Sequence, residues 1–145
     1  MYKEQLERVT STSEINRYTI SINEAMMSLL NKCDIDYKTL QDTVLPLWLN
    51  KYIEVGIEKR EEVNCYTYKN IKKFELFYPD YIGNEFSNNK VVVDVDKVGN
   101  VAKSLGISLK FAFKIAGLLE KFPQNFNIVI SYDNMDFIVS FYCKR

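Results

Sequence analysis

An α+β fold in one domain is predicted by three features of the sequence. Residues 126–132 and 137–143 place a large apolar residue at every second position, residues 91–95 are four β-branched valines around Asp94, and apolar residues at helical spacing surround both. The expected layout is N-terminal helices followed by a small mixed or antiparallel sheet with a long buried helix and a C-terminal β-hairpin, spanning 1–145 as a single globular domain. With 145 residues, 47% of them hydrophobic and 26% charged, the chain can bury a core without disulfides or metals.

The closing hairpin carries the firmest expectation. Pairing Tyr132 with Phe137 sets Ile130 against Val139, Ile128 against Phe141 and Phe126 against Cys143 on one face, which is then core. The opposite face, with Asn127, Val129 and Ser131 against Tyr142, Ser140 and Ile138, is half apolar. Asp133, Asn134, Met135 and Asp136 supply the turn, because Asn and Asp tolerate the positive φ that tight turns need.

Taken in order, residues 1–18 offer only Leu6 and Val9 as an apolar stripe, so a short, loosely docked first helix is expected. Ser21-Ile22-Asn23-Glu24 matches a capping box and predicts a helix to about Lys32 with Ala25, Met26, Leu29 and Leu30 inward. Asp36 caps a second helix carrying Leu40, Val44, Leu47 and Trp48, which Pro46 breaks near Leu45. A further helical segment over 47–59 would bury Trp48, Tyr52, Val55 and Ile57 and turn Glu54, Glu58, Glu61 and Glu62 outward. From Val63 to Gly83 strand and helix patterns compete, and Asn84 to Lys90 reads as a loop. Val91–Val95 is a strand. Asp94 or Asp96 then caps a helix from Lys97 to about Phe122, stopped by Pro123, so that strand, helix and the strand from Asn127 form a βαβ unit.

The chemistry is narrowed most by what the chain lacks. It contains no histidine, which removes Ser-His-Asp and Cys-His nucleophiles, histidine-ligated zinc and the commonest acid/base near neutrality. Cys33, Cys65 and Cys143 are far apart and read as reduced core thiols, and the five glycines are too scattered for a phosphate cradle. Asp94-x-Asp96 resembles the metal-binding D-x-D of some glycosyltransferases over three residues only, and helix capping accounts for it. No catalytic residue, no metal site and no cofactor is expected, and the protein is not expected to be an enzyme. No apolar run approaches the roughly 18 residues of a membrane span, and the first residues lack a signal-peptide core, so a cytoplasmic protein without a membrane partner is expected.

The 19 basic and 19 acidic residues cancel, which disfavours a nucleic-acid partner. Even so, Val101 to Ser108 resembles the first helix and turn of a helix-turn-helix, with Gly106 at the turn and the C-terminal hairpin where a wing would lie. A winged-helix DNA-binding regulator is therefore the alternative reading. Against it, Leu109 and Phe113 would occupy base-reading positions that Arg, Asn, Gln and Lys normally fill.

In size and in the hairpin Asn127-Ile128-Val129-Ile130-Ser131-Tyr132-Asp133-Asn134-Met135-Asp136-Phe137-Ile138-Val139-Ser140-Phe141-Tyr142, the chain resembles the immunity proteins of bacterial polymorphic toxin systems, including contact-dependent growth inhibition. The resemblance implies a non-catalytic partner that binds a cognate toxin domain and blocks it by steric occlusion. Such toxins are often basic nucleases, and residues 1–62 carry eleven acids against eight bases. Contacts are accordingly expected at Asp34, Asp36, Glu54, Glu58, Glu61 and Glu62, with Tyr66 and Tyr68 as aromatic anchors.

Overall fold

The computed structural model describes residues 18–33, 35–69, 71 and 73–145. In chain order these form β1 (Tyr18–Ile22), α1 (Glu24–Lys32), α2 (Tyr37–Asp42), a 3-10 turn (Leu47–Leu49), β2 (Val55–Arg60), β3 (Val63–Tyr68) and α3 (Tyr81–Asn88). There follow β4 (Val91–Asp94), the one-turn helix α4 (Val95–Val98), α5 (Val101–Leu119), β5 (Phe126–Tyr132) and β6 (Asp136–Cys143). The class is α+β. The short first helix expected at the N-terminus lies outside the described residues except for Tyr18, which opens a strand.

The hairpin β5–β6 has the register its side-chain pattern dictates, from Tyr132 opposite Phe137 to Phe126 opposite Cys143. Asn134 turns the chain at φ 69°. Phe126, Ile128, Ile130, Phe137, Val139, Phe141 and Cys143 are all buried, as one face of the pleat requires. The hairpin occupies the middle of a four-stranded sheet ordered β1-β5-β6-β4, with β1 parallel to β5 and β4 antiparallel to β6. Since β4 and β5 both oppose β6, they run parallel to each other. The expected βαβ unit is thus present in split form, with β6 between its two strands.

Helix α5 supplies the layer that covers the apolar face, burying Leu105, Ile107, Leu109, Phe111, Ala112, Ile115, Ala116 and Leu119. Its start differs from expectation. Gly99 at φ 109° ends α4 in a left-handed cap, and Asn100 caps α5 by accepting from the Lys103 N–H at 2.7 Å. The helix then runs without interruption through Gly106, and Leu109 is fully buried. The helix-turn-helix reading of this stretch is therefore corrected: no turn separates two helices here, and the would-be reading position faces the core.

Four further expectations are overturned. Ser21 is not a helix cap but part of β1, its hydroxyl donating to Asn127 Oδ1 at 2.9 Å. The cap is Asn23, whose side chain accepts from the Met26 N–H at 2.9 Å and donates to the Tyr132 carbonyl at 2.9 Å. Asp36 does cap α2, yet that helix stops at Asp42 and leaves Val44 and Leu47 outside it, 82% and 86% exposed. In place of a helix over 47–59 stand the 3-10 turn and β2, whose helix-compatible Glu and Lys residues are recruited by pairing with β3. Of the stretch Asn84 to Lys90, expected as a loop, the part up to Asn88 belongs to helix α3. No helix among the described residues is long and apolar enough to cross a membrane.

Candidate interaction surface

Helix α3 explains how the two sheets are joined, and its sequence looks wrong for the task until its partners are seen. It buries Asn84, Glu85 and Asn88, and its C-cap Asn89 is buried as well. These form two pairs at i, i+4 spacing, so each pair shares a helix face. Glu85 and Asn89 act as mortar between β3 and β6. The Glu85 carboxylate accepts from the Tyr66 N–H at 2.7 Å and the Cys143 N–H at 3.0 Å, while the Asn89 amide donates to the carbonyls of Tyr66 and Phe141 at 2.9 and 3.1 Å. Strand β4 pairs with β6 only as far as Val139, and these two side chains satisfy the β6 edge beyond it. Arg145 closes the arrangement with a 2.7 Å ion pair to Glu85 and a hydrogen bond to the Asn64 carbonyl at 2.9 Å. Burial pushes the Glu85 carboxyl above the usual glutamate range, against the pull of those N–H donors and of Arg145.

The second pair faces the opposite client, the segment between β3 and α3. Asn88 accepts from the Glu75 N–H at 2.9 Å and donates to its carbonyl at 2.7 Å, the pattern a neighbouring strand would offer. Asn84 accepts from the N–H groups of Phe77 and Tyr78 at 2.7 and 2.8 Å and donates to the Tyr78 carbonyl at 2.9 Å. Phe74 is buried at one end of this segment, and at the other Asp80 caps α3 through the Gly83 N–H at 2.7 Å. Between these anchors Leu76, Phe77 and Tyr78 point outward, 47%, 56% and 51% exposed.

The tip of the β2–β3 hairpin borders this loop. Arg60 donates to the Phe74 carbonyl at 3.1 Å, and the Tyr81 hydroxyl donates to Glu61 at 3.1 Å. Glu58, Glu61 and Glu62 gather there: Glu58 pairs with Arg60 at 2.7 Å and Glu62 with Lys59 at 3.3 Å. Glu61 and Glu62 turn the hairpin with φ of 49° and 67°, values that residues with a Cβ rarely adopt in succession.

The remaining sequence-predicted contacts are not with them. Glu54 lies at the far end of the hairpin, 3.2 Å from Lys69 and 3.9 Å from Lys121. Asp36 spends its carboxylate on the Thr39 N–H at 2.7 Å, which holds its pKa below the usual aspartate range. Asp34 lies outside the described residues. Tyr66 and Tyr68 are corrected as anchors: they are 2% and 4% exposed and stack edge-on against Phe122 and Phe126, and against Tyr52 and Phe141, respectively. Sequence reasoning missed Leu76 and Phe77. The i, i+4 spacing of Asn84/Asn88 and Glu85/Asn89 is compatible with two polar helix faces, but the spacing alone does not separate a buried helix from a loop.

A cleft of about 760 Å³ lies elsewhere, between the 42–48 segment and the α4–α5 corner, lined by Val44, Leu45, Leu47, Trp48, Val98 and Ile107. Lys110 fixes one wall by donating to the carbonyls of Gln41 and Thr43, and Lys97 sits 4.7 Å over the Trp48 ring. Cys65 and Cys143 are buried, which pushes both thiols up. Among the described residues no group of histidine, cysteine, aspartate and glutamate side chains is placed to hold a metal ion. Compared with family models, with curated proteins and with solved structures, the chain matches none.

Proposed function

We propose that this protein is a cytoplasmic immunity protein that binds a cognate bacterial toxin domain and neutralises it by steric occlusion, without catalysis of its own. One observation carries the reading: an exposed apolar loop whose backbone is locked by buried asparagines stands beside a hairpin tip at which Glu58, Glu61 and Glu62 outnumber Lys59 and Arg60 by one. Interfaces of high affinity combine rigid apolar or aromatic anchors with charged residues at the rim that steer association. The carboxylates suit a basic toxin surface, and a nuclease active site is such a surface. Occlusion needs no chemistry from the inhibitor, only a shape that is already ordered before the partner arrives.

The reading predicts a toxin domain encoded next to this gene, and the test is co-expression with it. Growth should be restored by the wild-type protein, and the two chains should elute as one complex whose association slows as salt is raised. Continued growth arrest in the presence of folded protein would overturn the proposal.

A further inference from the structure

Large apolar side chains exposed singly, such as Met135 in the β5–β6 turn or Val92 on β4, are ordinary on protein surfaces. Leu76, Phe77 and Tyr78 differ in being consecutive and in being held. Five backbone groups of Glu75, Phe77 and Tyr78 bond to the side chains of Asn84 and Asn88, which are 2% and 3% exposed. The Phe77 and Tyr78 rings meet edge-on at 6.4 Å. Burying asparagines is costly unless every bond is made, and here those bonds serve to immobilise residues 74–78, of which only Phe74 is buried. Ordering entropy that a flexible loop would lose on binding has thus already been lost on folding.

Charge around the loop selects the partner. Glu75 and Asp80 bracket the three apolar residues and are exposed, and Glu61 reaches the same rim through Tyr81. The neighbouring cations Lys59, Arg60 and Arg145 pair with Glu62, Glu58 and Glu85, so these six charges cancel and leave Glu61, Glu75 and Asp80 against Lys73 among the described residues. We infer that Leu76, Phe77 and Tyr78 are the apolar anchor of a protein-binding face, and that the partner offers an apolar pocket rimmed by lysine or arginine. Naming that partner a toxin domain rests on the function proposed above; the anchor itself does not.

The test places the photo-crosslinking residue p-benzoylphenylalanine at Phe77, or at Met135 as control, in the full chain expressed in its native host. The trapped protein is then purified and its affinity measured against wild type, Phe77→Ser, Tyr78→Ser and Met135→Ser. Position 77 should trap one protein that position 135 does not, and Phe77→Ser should weaken binding about 30-fold or more with an unchanged melting temperature. Leu76→Ser gives an independent reading should Phe77→Ser lower that temperature.

Each other outcome decides against one of the two statements. A toxin domain that co-purifies with wild type but binds Phe77→Ser, Tyr78→Ser and Leu76→Ser equally well overturns the anchor and leaves the immunity function standing. A protein trapped at 77 that is no toxin domain does the reverse. Trapping of nothing, or of a second copy of this chain alone, overturns the anchor as a site for a foreign partner.

Discussion

Replacing Glu85 with alanine tests the joint between the two sheets. The carboxylate is fully buried and accepts from the Tyr66 and Cys143 N–H groups as well as from Arg145. Removing it strands two backbone donors, each costing about 1–3 kcal/mol when buried without an acceptor. The loss on the arginine side is smaller, because the Arg145 side chain is 28% exposed and can turn to water. The expected total is about 3–5 kcal/mol, the range found when one partner of a buried ion pair is removed, against a typical domain stability of about 5–15 kcal/mol. For a chain of this length that lowers the melting temperature by about 10–15 °C. Glu85→Gln keeps one acceptor and the shape, and should cost about half as much.

Urea denaturation followed by Trp48 fluorescence and by far-ultraviolet circular dichroism measures both variants. Because burial raises the Glu85 carboxyl, the native state binds a proton more tightly than the unfolded chain. That contribution is complete below the ordinary glutamate pKa and is lost as pH rises through the native value. Wild type should therefore gain stability relative to Glu85→Gln as the pH is lowered from neutrality toward the ordinary glutamate range. A loss under about 1 kcal/mol for Glu85→Ala would refute the joint, and a wild-type advantage that grows with rising pH would refute the burial argument.

Three other variants probe local geometry. Glu61→Asn with Glu62→Gly relieves two positive-φ positions and should stabilise by about 1–2 kcal/mol in thermal denaturation; destabilisation would mean the turn is not of this type. Gly106→Ala should stabilise by about 0.5–1 kcal/mol, since the residue lies inside α5 and its added Cβ would meet only Thr43 Oγ1 at 3.5 Å. A clear loss of stability there would restore the turn that the sequence suggests. Tyr68→Phe should be neutral or stabilising by up to about 1 kcal/mol, because its buried hydroxyl has no hydrogen-bond partner among the described residues; a large loss in chemical denaturation would reveal one.

Elements whose partners lie close in the chain were legible in the residues themselves. The β5–β6 hairpin is the clearest case: a period of two confines its apolar set to one face, so a slip of one residue would expose Phe126, Ile128 and Ile130, and the register has no competitor. The same holds for Asp36 as a cap, for the valine strand and for the apolar helix after it, because capping and periodicity are local properties. The acidic character of residues 54–62 was equally visible.

What those acids form was decided by tertiary contact. Glu58 and Lys59 favour a helix by propensity, and only β3 across from them makes a hairpin whose tip gathers three of the carboxylates and leaves Glu54 at the other end. Strand β1 exists because β5, more than a hundred residues away, accepts it in parallel. Most of all, the polar residues of α3 could not be read alone. Asparagines at 84, 88 and 89 signal a loop when their amides face water, and a buried helix when strands and a loop complete their hydrogen bonds. Polarity is a local property of the sequence, whereas the satisfaction of a polar group depends on what the fold brings against it.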